Sequence, residues 1–218
     1  MSRVISIERT RLPRWLRNFA TRHGEVQAVG APEVVRFRAT DGAEAAVAVP
    51  FAPLPADPEP GALRDTDEVT VRLLDHVARD RRVGAVLVRR GGYAVGVFDG
   101  DRLISARNGS GYVQGRTKAG GWSQQRYARR RANQAQQLYD KASAAAAEVL
   151  LPVAAELVAV VGGGDRAGVL ATLEPVTLQP VRELLQDRIH ATDDPRRRVL
   201  EAFPETFLSV EIELNDRA

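Results

Sequence analysis

The sequence predicts a mixed α/β domain preceded by a small N-terminal unit, and three observations carry that prediction. Strand-like runs and amphipathic helical runs alternate along most of the chain instead of segregating into blocks. Pro50, Pro53, Pro55, Pro58 and Pro60 crowd one short stretch that holds neither a helix nor an inner strand. A strand meander then passes through a glycine-bearing basic loop into the longest helical pattern of the chain, the order β-β-β-loop-α.

In chain order, Leu12, Trp15, Leu16 and Phe19 recur at helical spacing, with Pro13 near the start and Gly24 as a stop. Their stripe reads as a core-docking face with Arg14, Arg17 and Arg22 solvated on the other side; an RNA contact is the alternative for those arginines. Val35, Phe37 and Ala39 alternate with Arg36 and Arg38, and Asp41-Gly42 turns the chain into residues 45–49, a β-hairpin. The proline run that follows reads as a linker, so the expected units are residues 1–61 and 62–218.

Beyond the linker, Asp65 or Thr66 can cap a helix to about residue 80 with Val69, Leu73, Leu74 and Val77 inward. Three strands are expected at 83–88, 93–98 and 102–107, joined by Gly91-Gly92 and by Asp99-Gly100-Asp101. The long helix is expected over about 123–151. Ala128, Ala132, Ala135, Tyr139, Ala142, Ala146 and Val149 form a small-residue stripe along it, suited to lying close on a sheet. Residues 157–161 form a short buried strand, followed by a glycine turn at 162–164 and a helix to about 173. Residues 181–189 fit helix or strand equally. Asp193-Asp194-Pro195 opens a last short helix, and 207–214 alternates as a closing strand.

The composition, 44% hydrophobic and 27% charged over 218 residues, is that of a folded protein. Without a single cysteine the chain has no disulfide, zinc–thiolate centre, iron–sulfur cluster or cysteine nucleophile. His23, His76 and His190 are too scattered for a metal-ligand motif, and neither metal nor cofactor is expected. The opening residues lack the apolar run of a signal peptide, and the most apolar window, 142–161, is broken by Glu148, Pro152 and Glu156. A cytoplasmic protein with no membrane partner is expected.

Net charge is only +3, from 31 basic and 28 acidic residues, so any polyanion argument rests on where the charges sit. They sit unevenly. No acidic residue falls between Asp101 and Asp140, while Arg102, Arg107, Arg116, Lys118, Arg126, Arg129, Arg130 and Arg131 all do. Within that stretch, Gly120 and Gly121 allow a backbone to approach a bulky ligand, and Trp122 offers a face on which a base can stack. Ser123 suits an N-cap, which sets Gln124 and Gln125 in a first helical turn, where free N–H groups favour an anion. A glutamine amide is no general base. It can hold a water with its oxygen or donate an N–H to a developing oxyanion, which suits hydrolysis of an already activated ester. A competing motif, Gly162-Gly163-Gly164-Asp165-Arg166-Ala167, fits a loose dinucleotide pattern but reads better as a strand-to-helix turn.

Residues 115–133, G-R-T-K-A-G-G-W-S-Q-Q-R-Y-A-R-R-R-A-N, resemble the glutamine loop and following helix of the Vms-like release factor family. The likeness is strongest to its actinobacterial peptidyl-tRNA hydrolase branch. That family is similar to the middle domain of archaeal and eukaryotic class-I release factors. The resemblance implies an RNase H-like mixed sheet and release of nascent chains from peptidyl-tRNA on a ribosome or large subunit, with no DNA partner. It assigns the catalytic glutamine to Gln124, with Gln125 as second candidate. Arg116, Lys118, Gly120, Gly121, Trp122, Ser123, Arg126, Arg129, Arg130 and Arg131 become the RNA-binding set. The order Gly-Gly-Trp-Ser-Gln departs from the Gly-Gly-Gln of the release factors, so their water-holding geometry does not transfer directly. A non-catalytic RNA-binding module and a nuclease cutting near the tRNA 3′ end are the alternatives.

Overall fold

The computed structural model describes residues 2–55, 66–111 and 122–218, with side chains throughout except those of 122–128. The chain forms two compact units, Met1–Arg79 with Leu208–Ala218, and Asp80–Phe207.

The first unit holds strands β1 (Arg3–Ile7), β2 (Val26–Gly30), β3 (Val34–Ala39) and β4 (Glu44–Ala48) and helices α1 (Leu12–His23) and α2 (Thr66–Ala78). Two of these strands, β1 and β2, go beyond the expected hairpin. The closing strand of the chain, Val210–Leu214, joins the same antiparallel sheet between β1 and β4, while β3 and then β2 complete the order. Leu12, Leu16 and Phe19 of α1, Val69, Leu73 and Val77 of α2, and Val35, Phe37, Val47 and Ile212 of the sheet share one core.

The expected boundary at residue 61 is therefore displaced to residue 79, for physical reasons. The Thr66 hydroxyl accepts the Ala28 N–H and donates to the Val26 carbonyl, both at 3.1 Å, which fastens the start of α2 to β2. His76 Nε2 lies 2.8 Å from the Pro50 carbonyl, and Arg72 donates to the Pro55 carbonyl at 2.6 Å. Leu54 is buried and its N–H reaches the Pro32 carbonyl at 2.7 Å. Residues 50–55 are thus part of the first unit, and the remainder of the expected linker lies outside the described residues.

The second unit contains β5 (Arg82–Arg89), β6 (Gly92–Asp99), β7 (Arg102–Ser110), α3 (Trp122–Leu150), β8 (Ala159–Gly164), α4 (Arg166–Thr172), α5 (Gln179–Arg182), β9 (Leu185–His190), α6 (Arg197–Ala202) and α7 (Pro204–Phe207); the strand Val210–Leu214 of the first unit is β10. Its sheet runs β7-β6-β5-β8-β9. The pairs β5–β6 and β6–β7 are antiparallel, and β5–β8 and β8–β9 are parallel. Counted within the unit, the order is third, second, first, fourth, fifth, with only the second strand reversed. That is the RNase H-like arrangement, as expected.

Both faces of this sheet are covered, so its central strands read as continuous apolar runs. Val86, Val88, Val95, Val97 and Val160 pack under Ala145, Ala146, Val149 and Leu150 of α3, Val169 of α4 and Val181 of α5. On the other face, Phe98 meets Phe207 edge-on at 5.4 Å, and Phe203 meets Phe207 at the same distance. The ambiguous stretch 181–189 resolves into the end of α5 and the edge strand β9.

Candidate functional site

The expected loop connects the edge strand β7 to α3. β7 ends at Ser110, and the next residue, Gly111, donates its N–H to the Gly91 carbonyl at 3.1 Å. A Cβ on Gly111 would stand 2.6 Å from Leu138 Cδ1, so the chain leaves the sheet against the middle of α3. Arg116, Lys118, Gly120 and Gly121 lie outside the described residues. Trp122, Ser123, Gln124, Gln125 and Arg126 lie in α3, whose assignment starts at Trp122. The helix thus begins one residue before the expected Ser123.

α3 has two halves of different character. From Leu138 onward, Leu138, Ala142, Ala145, Ala146, Val149 and Leu150 are buried. None of residues 129–137 is buried: Arg129, Arg130 and Ala132 are exposed, and Arg131 and Ala135 are half-buried. The small-residue stripe works as a docking face only in its second half. At 1.5 Å per residue, Gln124 and Gln125 lie about 20 Å along the helix from Leu138, so the glutamines stand at the far end of a helix whose other end is clamped.

Two side-chain links hold the clamped half. The Ser143 hydroxyl lies 2.7 Å from the Thr172 carbonyl, which ties α3 to the end of α4. Arg107 of β7 donates to Glu148 through Nε at 2.9 Å and Nη2 at 2.6 Å. That bond lowers the Glu148 pKa and raises that of Arg107. Arg107 is therefore a structural cation. Glu148 comes from beyond the acid-free stretch, and so its partnership was invisible to a scan of neighbouring charges.

The rival glycine motif does not form a phosphate loop. Gly162 and Gly163 belong to β8, not to a turn, because the space beside them is filled. A Cβ on Gly163 would lie 2.5 Å from Leu87 Cδ2 and 2.8 Å from Thr192 Cγ2, and one on Gly162 would collide with Ile189. Gly164 makes the exit turn at φ +89°. Asp165 is the N-cap residue of α4 without a side-chain capping bond, and its backbone N–H is taken by the Val88 carbonyl at 2.7 Å, which ties the turn to β5.

One feature escaped the sequence reading. His190, at the end of β9, is only 8% exposed, sits edge-on to Phe203 at 5.7 Å, and its Nδ1 has no partner among the described residues. Burial first, and Arg188 second, lower its pKa to about 4. Beside it, a cleft of about 600 Å³ is lined by Thr192, Arg198 and Phe203.

Residues 81–213 match the model of the Actinobacteria/chloroflexi VLRF1 release factor. The chain belongs to this release factor family. The VLRF1 match takes in nearly all of the second unit and extends to β10, while β1 to β4, α1 and α2 precede it. Two solved structures are also similar. One is an archaeal translation termination factor, aRF1, at 18% identity and a TM-score of 0.39, covering 79% of this chain and 47% of that one. The other is an archaeal protein at 18% identity and a TM-score of 0.36, covering 77% and 46%. The chain thus spans about half the length of each. No curated protein matches it.

Proposed function

We propose that this protein is a cytoplasmic peptidyl-tRNA hydrolase that frees nascent chains on stalled ribosomes or large subunits. Membership of a release factor family over residues 81–213 carries the reading. The position of Gln124 and Gln125 in the first turn of a long, far-anchored helix supports it. In the proposed reaction water attacks the ester carbonyl that joins the peptide to the terminal ribose. The acyl–oxygen bond breaks, and the tRNA hydroxyl leaves with a proton. Gln124 holds that water with its amide oxygen or gives an N–H to the developing oxyanion, and Gln125 is the second candidate. The helix N-terminus adds a favourable field for the negative charge. Arg116, Lys118, Arg126, Arg129, Arg130 and Arg131 hold the tRNA and ribosomal RNA backbones, Gly120 and Gly121 admit the acceptor end, and Trp122 stacks on a base.

The test is a release assay on stalled large-subunit complexes, with free peptide, intact peptidyl-tRNA and shortened tRNA resolved on one gel. Free peptide with full-length tRNA is the expected product. Shortened tRNA would make the protein a nuclease, and unchanged peptidyl-tRNA with bound protein would make it a docking module.

A further inference from the structure

Helix α1 breaks the ordinary rules for an exposed helix. It continues from a 3-10 turn, Arg9–Arg11, with Pro13 near its start; no side chain makes a capping hydrogen bond to it, and its first turn has no acidic residue. Arg14 stands in that turn, where a cation opposes the helix dipole. No acidic residue falls between Glu8 and Glu25, whereas Arg9, Arg11, Arg14, Arg17 and Arg22 do. Two carboxylates at the ends of the helix are already engaged: Glu8 pairs with Arg11 at 2.9 Å, and Asp41 with His23 at 2.8 Å. Arg14, Arg17 and Arg22 are exposed, and among the described residues none of the three is ion-paired. A like-charged face left without acidic partners goes against the helix's own stability and points to function.

The orientation of this face is fixed. Leu12, Leu16 and Phe19 are buried in the core of the first unit, and Trp15 stacks on Phe19 at 5.5 Å. At 100° per residue, Arg14, Arg17 and Arg22 fall within about 140° of the opposite circumference and rise about 12 Å along it. Asn18 and Thr21 lie among them, with no aliphatic or aromatic side chain. Such a face lacks the apolar wedge that a membrane-surface helix inserts and the anchor that a protein interface centres on. Guanidinium groups matched to phosphate oxygens remain.

We propose that the arginine face of α1 is a second RNA-binding surface, contacting the phosphate backbone of ribosomal RNA through Arg14, Arg17 and Arg22. It lies outside residues 81–213, the part that matches the release factor family. The choice of ribosomal RNA as partner rests on the proposed function; the surface itself does not.

The test uses the full chain with Arg14, Arg17 and Arg22 changed together to Ala, or together to Lys, and its affinity for purified large ribosomal subunits across a salt series. Alanine favours an exposed helix, so weakened binding would not reflect unfolding. Three lost phosphate contacts should flatten the slope of log affinity against log salt by about 2. The Lys variant should restore most of the slope, and release by saturating Ala variant in a single turnover should match wild type. A slope equal to wild type in the Ala variant would overturn the proposal. So would a loss of binding confined to phosphatidylserine-containing vesicles, with subunit binding intact. If the slope flattens in a protein that releases no peptide, the surface stands and the hydrolase reading falls. If release is normal and the slope is unchanged, only the surface falls.

Discussion

A buried imidazole held near pKa 4 makes His190 a pH-sensitive point of the second unit. In the unfolded chain a histidine titrates near 6.5. Between those values the unfolded chain binds a proton that the native protein refuses, so stability falls as pH drops from about 6.5 to about 4. His190→Gln removes that titration. The wild-type urea midpoint should therefore fall relative to that of the variant as pH drops from 7 towards 4.5. A gap that stays constant over that range would contradict the assignment. Asp41 behaves in the opposite sense: the Ala43 N–H and then His23 lower its pKa, so its contribution is present at neutral pH and lost only in acid. Little at this scale was legible beforehand. The proximity of His190 to Phe203, and of Arg107 to Glu148, comes from pairings between distant segments, and no local pattern encodes it.

At the scale of elements, α3 divides the expectations into those that depend on packing and those that depend on charge. Leu150 is fully buried, and Leu150→Ala should cost about 2–5 kcal/mol in chemical denaturation. Gln137→Ala, in the exposed half, should stay within about 0.5 kcal/mol of wild type. Replacing Arg129, Arg130 and Arg131 by alanine should leave stability nearly unchanged and flatten the salt dependence of ribosome binding by about 2 in the log–log slope. An unchanged slope would make those arginines a solvated face. Strands β5 to β7 were legible because their apolar runs end at glycine turns, and the end of α3 because the alanine stripe gives way at Leu150. The glycines of β8 were not, since a strand whose side chains have been removed to admit Leu87 and Ile189 has the composition of a turn. The short strands β1 and β2 gave no signal of their own; they exist through pairing with β10 and β3.

Across the whole molecule, the chain leaves the first unit after Arg79 and returns to it at Leu208. The proline run drew the expected boundary too early, because composition marks where regular structure stops and not which core the next helix joins. The return has a consequence. β10 lies between β1 and β4, so a chain ending at Phe207 loses an interior strand and leaves β1 without a partner in its sheet. Hydrogen exchange on that truncated chain should show protection lost across β1 to β4 and α1, with β5, β6 and β8 still protected. Uniform protection, or uniform loss, would contradict the division into two cores.

The central claim is that a glutamine at the start of α3 positions the chemistry of ester hydrolysis, and single-turnover peptide release from peptidyl-tRNA on large subunits tests it most directly. Gln124→Leu should release peptide about 10²–10³-fold more slowly while binding as wild type does, the loss found when one preorganised oxyanion donor is removed. Gln125→Leu, turned about 100° around the helix, should be markedly milder. If Gln125→Leu is the inactive variant, the role passes one residue along. Wild-type release rates from both variants would contradict the claim.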